Sequence, residues 1–169
     1  MTALAPTLQA FFTDRLDSYV DPADLMKKLL ASNGQPFASV PQDEILKQPA
    51  LQRLGRTVAT GTVAPATNYR LTENTTSFQV RASGPGVAVL TEAWWPDSFR
   101  ATVDGRRVPL LRVNHAFKGV LIDAAGDHQV TIWYWPRNFL RKLVLSGSGM
   151  VLFALSLFFG LRPEGARGA

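Results

Sequence analysis

The chain has 169 residues and a net charge of +5, from 18 basic and 13 acidic side chains. The basic residues are scattered and are densest beside an apolar C-terminal run, which favours attraction to anionic lipid over nucleic-acid binding. The sequence contains no cysteine, which excludes disulfides and thiolate metal sites. About 140 residues precede the apolar run, enough for one domain with its own core.

Residues 1–54 are predicted to form a helical N-terminal segment. Asp21 suits the N-cap of a helix, Pro22 its first position, and Asn33-Gly34 its end. Apolar residues between them recur with helical spacing and form a stripe along this helix. The residues of that stripe are Leu25, Met26, Leu29 and Leu30.

Two more helices are expected in the N-terminal segment. Pro41–Leu54 is predicted to be helical with an interruption at Pro49, because proline lacks the N–H that a helix interior needs. Thr7–Tyr19 is predicted as a further helix. Met1–Val20 contains charged residues and has no apolar centre of the kind that signal peptides carry.

Residues 55–138 are predicted to form an antiparallel β-sandwich or jelly roll, so the fold class is α+β. Apolar and polar residues alternate over Ser77–Ala82, as in a strand with one buried face. Asp104-Gly105 favours a two-residue hairpin turn. Short strands at this spacing are typical of two packed sheets. The predicted strands are Thr57–Val63, Tyr69–Leu71, Ser77–Ala82, Gly86–Ala93, Phe99–Val103, Arg106–Leu111, Phe117–Ile122 and His128–Trp135.

A charge-free run extends from Leu143 to Leu161. As a helix it is roughly 28 Å long, close to the thickness of a bilayer core. We therefore predict a transmembrane helix over residues 139–162, followed by a short polar tail over 163–169. The alternative is a buried core helix; the small residues of Ser146–Gly149 weaken a helix in water but are common in membrane helices.

The segment around the start of this run is typical of a membrane interface. Tryptophan rings concentrate at the headgroup level, and long basic side chains extend their charges toward it. Basic residues flank both ends of the run, so the charge rule does not set its orientation. The predicted interface residues are Trp133, Trp135, Arg137, Arg141 and Lys142.

No catalytic residue, metal site or cofactor is predicted. Glu92, Asp97 and Asp104 would need to lie a few ångströms apart to hydrolyse a glycoside, and turns explain Asp97 and Asp104 better. His115 and His128 lack the surrounding ligands of a metal centre. Phosphate-loop and dinucleotide motifs do not occur.

Two groups of residues are candidates for binding. Trp94-Trp95 suits a sugar-stacking platform or a membrane contact; the alternative is packing at a strand end. A polar group around residues 112–118 suits contact with the rest of a longer protein or with a lipid phosphate; the alternative is a solvated strand face. Glu92 is the carboxylate that no turn explains. The candidate binding residues are Trp94, Trp95, Glu92, Arg112, Asn114, His115 and Lys118.

Motifs in order along the second half resemble those of a known family. They are Thr91-Glu92, Trp94-Trp95-Pro96, Val103-Asp104-Gly105, Asn114-His115-Ala116-Phe117-Lys118-Gly119-Val120, Gly126-Asp127-His128 and Tyr134-Trp135-Pro136. With the final apolar helix, they resemble the C-terminal region of YfhO-like bacterial membrane proteins. One departure is Asp97-Ser98-Phe99, where that family has Pro-Gly-Trp, so any role of the Trp ring would fall to Phe99.

The resemblance implies a large membrane protein of the GT-C glycosyltransferase type, linked to glycosylation of cell-envelope polymers. Its catalytic part lies nearer the N-terminus and is absent here. The chain would be a non-catalytic extracytoplasmic domain plus the last span in a bacterial cell membrane. The implied partners are the lipid bilayer, the remaining membrane helices and a polyprenyl-linked sugar.

Two alternatives to this function remain open. The chain is a stand-alone tail-anchored interaction module that docks on a polytopic membrane partner, or a soluble carbohydrate-active enzyme with a packed C-terminal helix. Both differ from the first hypothesis in what surrounds the apolar helix.

Overall fold

The computed structural model describes residues 8–56 and 60–160. It contains two compact units, the first ending at Tyr134 and the second beginning at Trp135. The described part of the first unit holds two five-stranded sheets, one two-stranded sheet and short helices. The second unit holds one long helix, which is numbered α4 (Phe139–Gly160).

The two large sheets are antiparallel throughout. In spatial order, the first sheet contains β10 (Leu111–Val113), β11 (Phe117–Ile122), β7 (Gly86–Ala93), β1 (Ala10–Thr13) and β4 (Val63–Pro65). The second contains β5 (Thr67–Leu71), β6 (Thr75–Ala82), β12 (Gly126–Tyr134), β8 (Phe99–Val103) and β9 (Arg106–Val108). The predicted α+β class, with antiparallel sheets and a long apolar C-terminal helix, is confirmed.

The two sheets pack face to face around one core. Phe12 and Leu90 from the first sheet meet Phe78, Val130 and Ile132 from the second. All five are buried. Alternate residues of each strand enter this core, because successive side chains of a strand point to opposite faces.

The other face of the first sheet is also covered. β2 (Leu16–Tyr19) and β3 (Ala38–Pro41) form a small parallel sheet, and Val40, Leu51 and Leu54 from this region pack against Phe11 and Val89. The first sheet is therefore buried on both faces. The helices of this layer are α1 (Pro22–Ala31), α2 (Gln42–Lys47) and α3 (Pro49–Arg56).

The N-terminal prediction is partly wrong. Residues predicted as the helix Thr7–Tyr19 form strands β1 and β2 in the described range. Phe11 and Phe12 are buried on opposite faces of a sheet, which adjacent residues of a helix cannot do. β1 lies between β7 and β4, so the first sheet draws strands from both sides of position 54.

The helix over residues 22–31 is confirmed with its cap. Asp21 Oδ1 accepts a hydrogen bond of 2.8 Å from the backbone N–H of Asp24, and Pro22 opens the first turn. The second predicted helix divides before Pro49 into α2 and α3, as expected. Strand β3 was not predicted.

Most predicted strands are confirmed, and β7, β8 and β11 have the predicted bounds. The prediction of one strand over Arg106–Leu111 is wrong, because it divides at Pro109 into strands that belong to different sheets. Proline cannot donate to a sheet ladder, which ends β9 there. Of the predicted Thr57–Val63, residues 57–59 lie outside the described range.

Helix α4 is long and apolar enough to cross a membrane, and none of it is buried. This is consistent with single-pass membrane association and does not fit the alternative of a buried core helix. The described helix begins and ends at residues 139 and 160. The last two residues of the predicted span and the predicted polar tail, 163–169, lie outside the described residues.

Candidate functional site

Glu92 and Lys118 continue the inner face of the first sheet. On β7, the inner positions are Ala88, Leu90 and then Glu92; on β11, Val120 is inner and Lys118 precedes it by two. A period of two puts each charged side chain on the same face as the core residues. A carboxylate and an ammonium group therefore occupy the next layer between the two sheets.

The two charges form a direct pair. Lys118 Nζ lies 3.0 Å from Glu92 Oε2, and Lys118 is 2% exposed. The same Nζ lies 3.6 Å from the ring centroid of Phe99, which belongs to the second sheet. Since a cation is attracted to the face of an aromatic ring, Phe99 adds to the stabilisation of the buried lysine.

The second oxygen of Glu92 is bound by the opposite sheet. Oε1 accepts hydrogen bonds from Thr76 Oγ1 at 2.8 Å and from the Tyr69 hydroxyl at 3.0 Å. Together with Lys118, the carboxylate holds three donors. It therefore joins the first sheet to β5 and β6.

These contacts set the ionisation of the site. Burial would raise the pKa of Glu92, but hydrogen bonds from Lys118, Thr76 and Tyr69 outweigh it, and the pKa is lowered. Burial and the Glu92 carboxylate raise the pKa of Tyr69. Glu92 is thus ionised and Tyr69 protonated at neutral pH. A carboxylate held this way suits recognition of hydroxyl donors better than proton abstraction.

A cavity of about 270 Å³ opens beside the pair. Phe99 and Tyr134 stand in its wall with their rings edge to face, centroids 5.4 Å apart. An apolar ring surface beside a few fixed polar groups is typical of a site for a small polar ligand such as a sugar. The lining residues are Leu71, Thr72, Glu73, Asn74, Thr75, Thr76, Glu92, Phe99, Lys118, Ile132 and Tyr134.

Sequence reasoning selected Glu92 and Lys118 but missed Tyr69, Thr76 and Tyr134. Thr76 has a signal in the sequence, since it occupies an inner position two residues before Phe78 on β6. Which inner-face residues meet across the two sheets depends on how the sheets pack, and that is not a local property of the chain.

The predicted polar group at residues 112–118 is divided by the structure. Lys118 points into the core, whereas Arg112 Nε donates a hydrogen bond of 2.7 Å to the backbone oxygen of His115 in the β10–β11 turn. His115 is exposed and lies edge-on to Tyr19 at 6.3 Å between centroids. Arg112 and His115 therefore belong to a surface turn apart from the cavity.

Asn114 holds the same turn against β3. Its Oδ1 accepts from the Ser39 N–H at 2.8 Å, and its Nδ2 donates to the Phe37 carbonyl at 2.8 Å. Its own N–H donates to the Ser39 carbonyl at 2.7 Å. The Asn114 side chain thus pairs with backbone groups of Phe37 and Ser39 as a neighbouring strand would.

We expect Asn114→Ala to lower the free energy of unfolding by about 2 kcal/mol, because it leaves buried backbone groups at Ser39 and Phe37 unpaired. Urea unfolding followed by tryptophan fluorescence measures this. Asn114→Asp, which keeps the acceptor for Ser39, should lose less. Equal stability of Asn114→Ala and the wild type would contradict this role.

Trp94 and Trp95 lie in the loop between β7 and β8. Trp94 is half-buried, and its backbone N–H donates to the Ala116 carbonyl at 2.7 Å. Trp95 is 67% exposed. Neither ring lines the cavity beside Glu92.

The predicted interface residues fall in both units. Trp133 lies on β12, half-buried, between Thr75 and Arg100 in register. Trp135 belongs to the second unit, where its ring meets Phe139 edge to face at 5.4 Å between centroids. Basic residues that are exposed at the start of this unit are Arg137, Arg141 and Lys142.

Asp104 and Asp97, the other two carboxylates considered for catalysis, lie in a turn and in a loop away from Glu92. Asp104 occupies the β8–β9 turn with φ +51° and accepts from the Gln129 N–H at 2.8 Å. Asp97 has φ +57° in the β7–β8 loop. Within residues 8–56 and 60–160, no three His, Asp or Glu side chains converge as a metal site would require.

His128 bridges two acceptors. Its Nδ1 lies 2.7 Å from Asp104 Oδ2, and its Nε2 lies 3.0 Å from the Ala124 carbonyl oxygen. Only the imidazolium form donates from both ring nitrogens. The hydrogen bond to Asp104 outweighs burial and raises the pKa of His128 above its ordinary 6.5.

This pairing predicts a pH dependence of stability. Because the folded pKa is raised, the stabilisation from His128 is complete below the unfolded pKa and is lost as pH rises through the folded one. We expect the gap in unfolding free energy between wild type and His128→Gln to be under about 1 kcal/mol at about pH 5.5 and to close by about pH 9. His115→Gln serves as the control; a gap that widens with pH would contradict the pairing.

Comparisons with protein-family models, with curated proteins and with solved structures gave no match. The relation to YfhO-like proteins therefore stays a prediction from sequence motifs.

Proposed function

We propose that the chain is a non-catalytic, extracytoplasmic accessory part of a YfhO-like membrane protein, together with its last membrane span. In this role it assists glycosylation of a cell-envelope polymer by contacting a lipid-linked sugar or the acceptor. The observation that carries the proposal is α4, an apolar helix of 22 residues with no buried residue that follows directly on a sheet-built unit.

Chain connectivity supports a site within reach of lipid. Tyr134, in the cavity wall, and Phe139, the first residue of α4, are separated by residues 135–138 alone. Five Cα–Cα steps span roughly 18 Å at most. The covalent connection therefore limits how far the cavity wall can lie from the start of α4, and a ligand carried on a membrane lipid is compatible with that limit.

The chemistry of the cavity supports a sugar as the ligand. Glu92 is ionised and accepts hydrogen bonds, as sugar hydroxyls require, and Thr76 and Thr72 add hydroxyl groups to the wall. The rings of Phe99 and Tyr134 offer apolar surface to the C–H face of a pyranose. Lys118 keeps the carboxylate charged from inside the core.

The orientation of the first unit tests the membrane part of the proposal. The sequence contains no cysteine, so a single Ser83→Cys at the exposed β6–β7 turn is a clean reporter. We expect a membrane-impermeant maleimide to label it in intact cells of the natural host, with the cysteine-free parent as blank. Labelling only after permeabilisation would place the first unit in the cytoplasm and would reject the proposal.

Binding tests the ligand. The full chain in neutral-lipid nanodiscs should retain a radiolabelled polyprenyl-phosphate hexose, and Tyr134→Ala should weaken retention about tenfold through loss of ring contact. Trp95→Ala is the matched control, because that exposed ring is outside the cavity lining. Equal retention by both variants, or retention by neither wild type nor control, would reject a sugar site here.

A second candidate function is a tail-anchored module that docks on a separate polytopic partner. One observation favours it: Met26, Leu29 and Leu30 share a face of α1, and all three are exposed, Leu30 by 75%. A pull-down with the full chain should then recover a multi-span protein and lose it in Leu30→Glu, while Lys27→Glu on the same helix retains it. Recovery of no such protein would reject this candidate.

A further inference from the structure

The second sheet has a polar outer face that the proposed function does not use. One row of side chains crosses all five strands, because each residue is the Cα partner of the next. Strands in a sheet lie about 4.8 Å apart, so the row is roughly 19 Å wide. Its residues, in order from β5 to β9, are Arg70, Ser77, Thr131, Thr102 and Arg107.

Neighbouring rows continue the same composition. Gln79 on β6 stands opposite Gln129 on β12, and Arg81 stands opposite Asp127. On the other side of the central row, Trp133 lies between Thr75 and Arg100. We call these rows together the outer face of the second sheet.

The outer face carries an unbalanced positive charge. All four of its arginines are exposed, and in the described part of the chain none has an ion pair. Asp127 is the one acidic residue in register on the face. Asp104, in the turn beyond β8, is already bound to His128 and Gln129. The arginines are Arg70, Arg81, Arg100 and Arg107.

The chemistry of the side chains on this face indicates which class of ligand it could bind. Ser77, Thr102 and Thr131 supply hydroxyl groups for hydrogen bonds. The amides of Gln79 and Gln129 are already engaged, by Asn68 and by the Phe78 carbonyl. Guanidinium groups bind phosphate and carboxylate oxygens with two parallel hydrogen bonds. The large apolar side chain in these rows, Trp133, is half-buried, whereas contact with a membrane surface usually inserts exposed apolar residues.

We propose that the outer face of the second sheet binds an extended anionic polymer, a chain with repeated phosphate or carboxylate groups lying across the strands. Arg70 and Arg107 hold charged groups at its two edges, and the hydroxyl groups between them contact the polymer backbone. The lining of the Glu92 cavity contains none of these arginines, so the test of this surface does not depend on whether that cavity binds a sugar.

Binding of two defined polymers tests the proposal. The full chain in phosphatidylcholine nanodiscs is titrated with fluorescent polyphosphate and polygalacturonate over a salt series. The double variant Arg70→Gln/Arg107→Gln should weaken binding at least about tenfold and lower the slope of log K against log salt by about two. Tighter binding of one polymer identifies phosphate or carboxylate as the group that is read.

A matched control variant distinguishes loss of the outer-face arginines from a general loss of positive charge. Lys27→Gln/Arg106→Gln removes the same charge elsewhere, and Arg106 is the neighbour of Arg107 that alternates to the other side of β9. This control variant should bind both polymers as the wild type does. Equal losses in both double variants, binding of neither polymer, or binding solely to phosphatidylglycerol vesicles would each overturn the proposal.

Discussion

Glu92→Ala is expected to lower the free energy of unfolding of the first unit by about 3 kcal/mol, because it leaves the ammonium group of Lys118 buried without a counter-charge. Thr76 and Tyr69 lose their acceptor at the same time. Urea unfolding of the full chain in detergent, followed by tryptophan fluorescence, measures the loss.

Two variants separate charge from packing at this site. Glu92→Gln keeps an acceptor for Thr76 and Tyr69 but removes the charge, so its loss should be intermediate. Glu92→Leu/Lys118→Met removes both charges and should recover most of the stability, because desolvation of the pair no longer has to be offset. A loss in Glu92→Ala no larger than that in the exposed Glu73→Ala would contradict the buried pair.

The same pair predicts the direction of an acid effect. The folded pKa of Glu92 is lowered from its ordinary 4.5, so its contribution is present above that pH and is lost as pH falls through the folded pKa. The difference in unfolding free energy between wild type and Glu92→Gln should be full at about pH 6 and small at about pH 2. A difference independent of pH would mean that the carboxylate is not preferentially stabilised by folding.

Met150→Arg/Leu152→Arg is expected to release the chain from membranes. Both residues lie in the middle of α4 and are exposed. Each arginine at the centre of a span costs about 2.5–3.5 kcal/mol on insertion scales, so the pair costs roughly 6 kcal/mol. Alkaline-carbonate extraction of membranes should recover the wild type in the pellet and the double variant in the supernatant.

The position of the charge provides the control for this experiment. Leu140→Arg lies in the first turn of α4, where a long basic side chain extends to the headgroups at little cost. It should therefore remain in the pellet. Pelleting of the central double variant to the same extent would show that α4 is not what holds the chain in the membrane.

Strands with local signals were predicted well, and strands specified by distant partners were not. Gly86–Ala93 and Phe99–Val103 carry apolar patterns between turn residues, and both have the predicted bounds. β1 has neither signal, and its two phenylalanines suit a helix as well as a strand. Pairing of Phe12 with Ala88 across the first sheet decides between them, because tertiary context overrides local propensity.

For the candidate site, too, the sequence predicted individual residues and the tertiary structure decided their contacts. Glu92 was selected because no turn explained it, and Lys118 because it stood among polar residues. Their direct pairing follows from the antiparallel neighbours β7 and β11, and contact with Tyr69 and Thr76 follows from packing of the second sheet on the first.

The amino-acid sequence by itself determined the apolar helix at the C-terminus, the cap at Asp21 and most of the strands, because each depends on residues close together in the chain. The tertiary structure alone decided that β1 lies inside the first sheet, between β7 and β4, and that Lys118 is buried against Glu92 and Phe99. Those outcomes depend on which surfaces meet when two sheets exclude water between them, and residues far apart in the chain supply the surfaces.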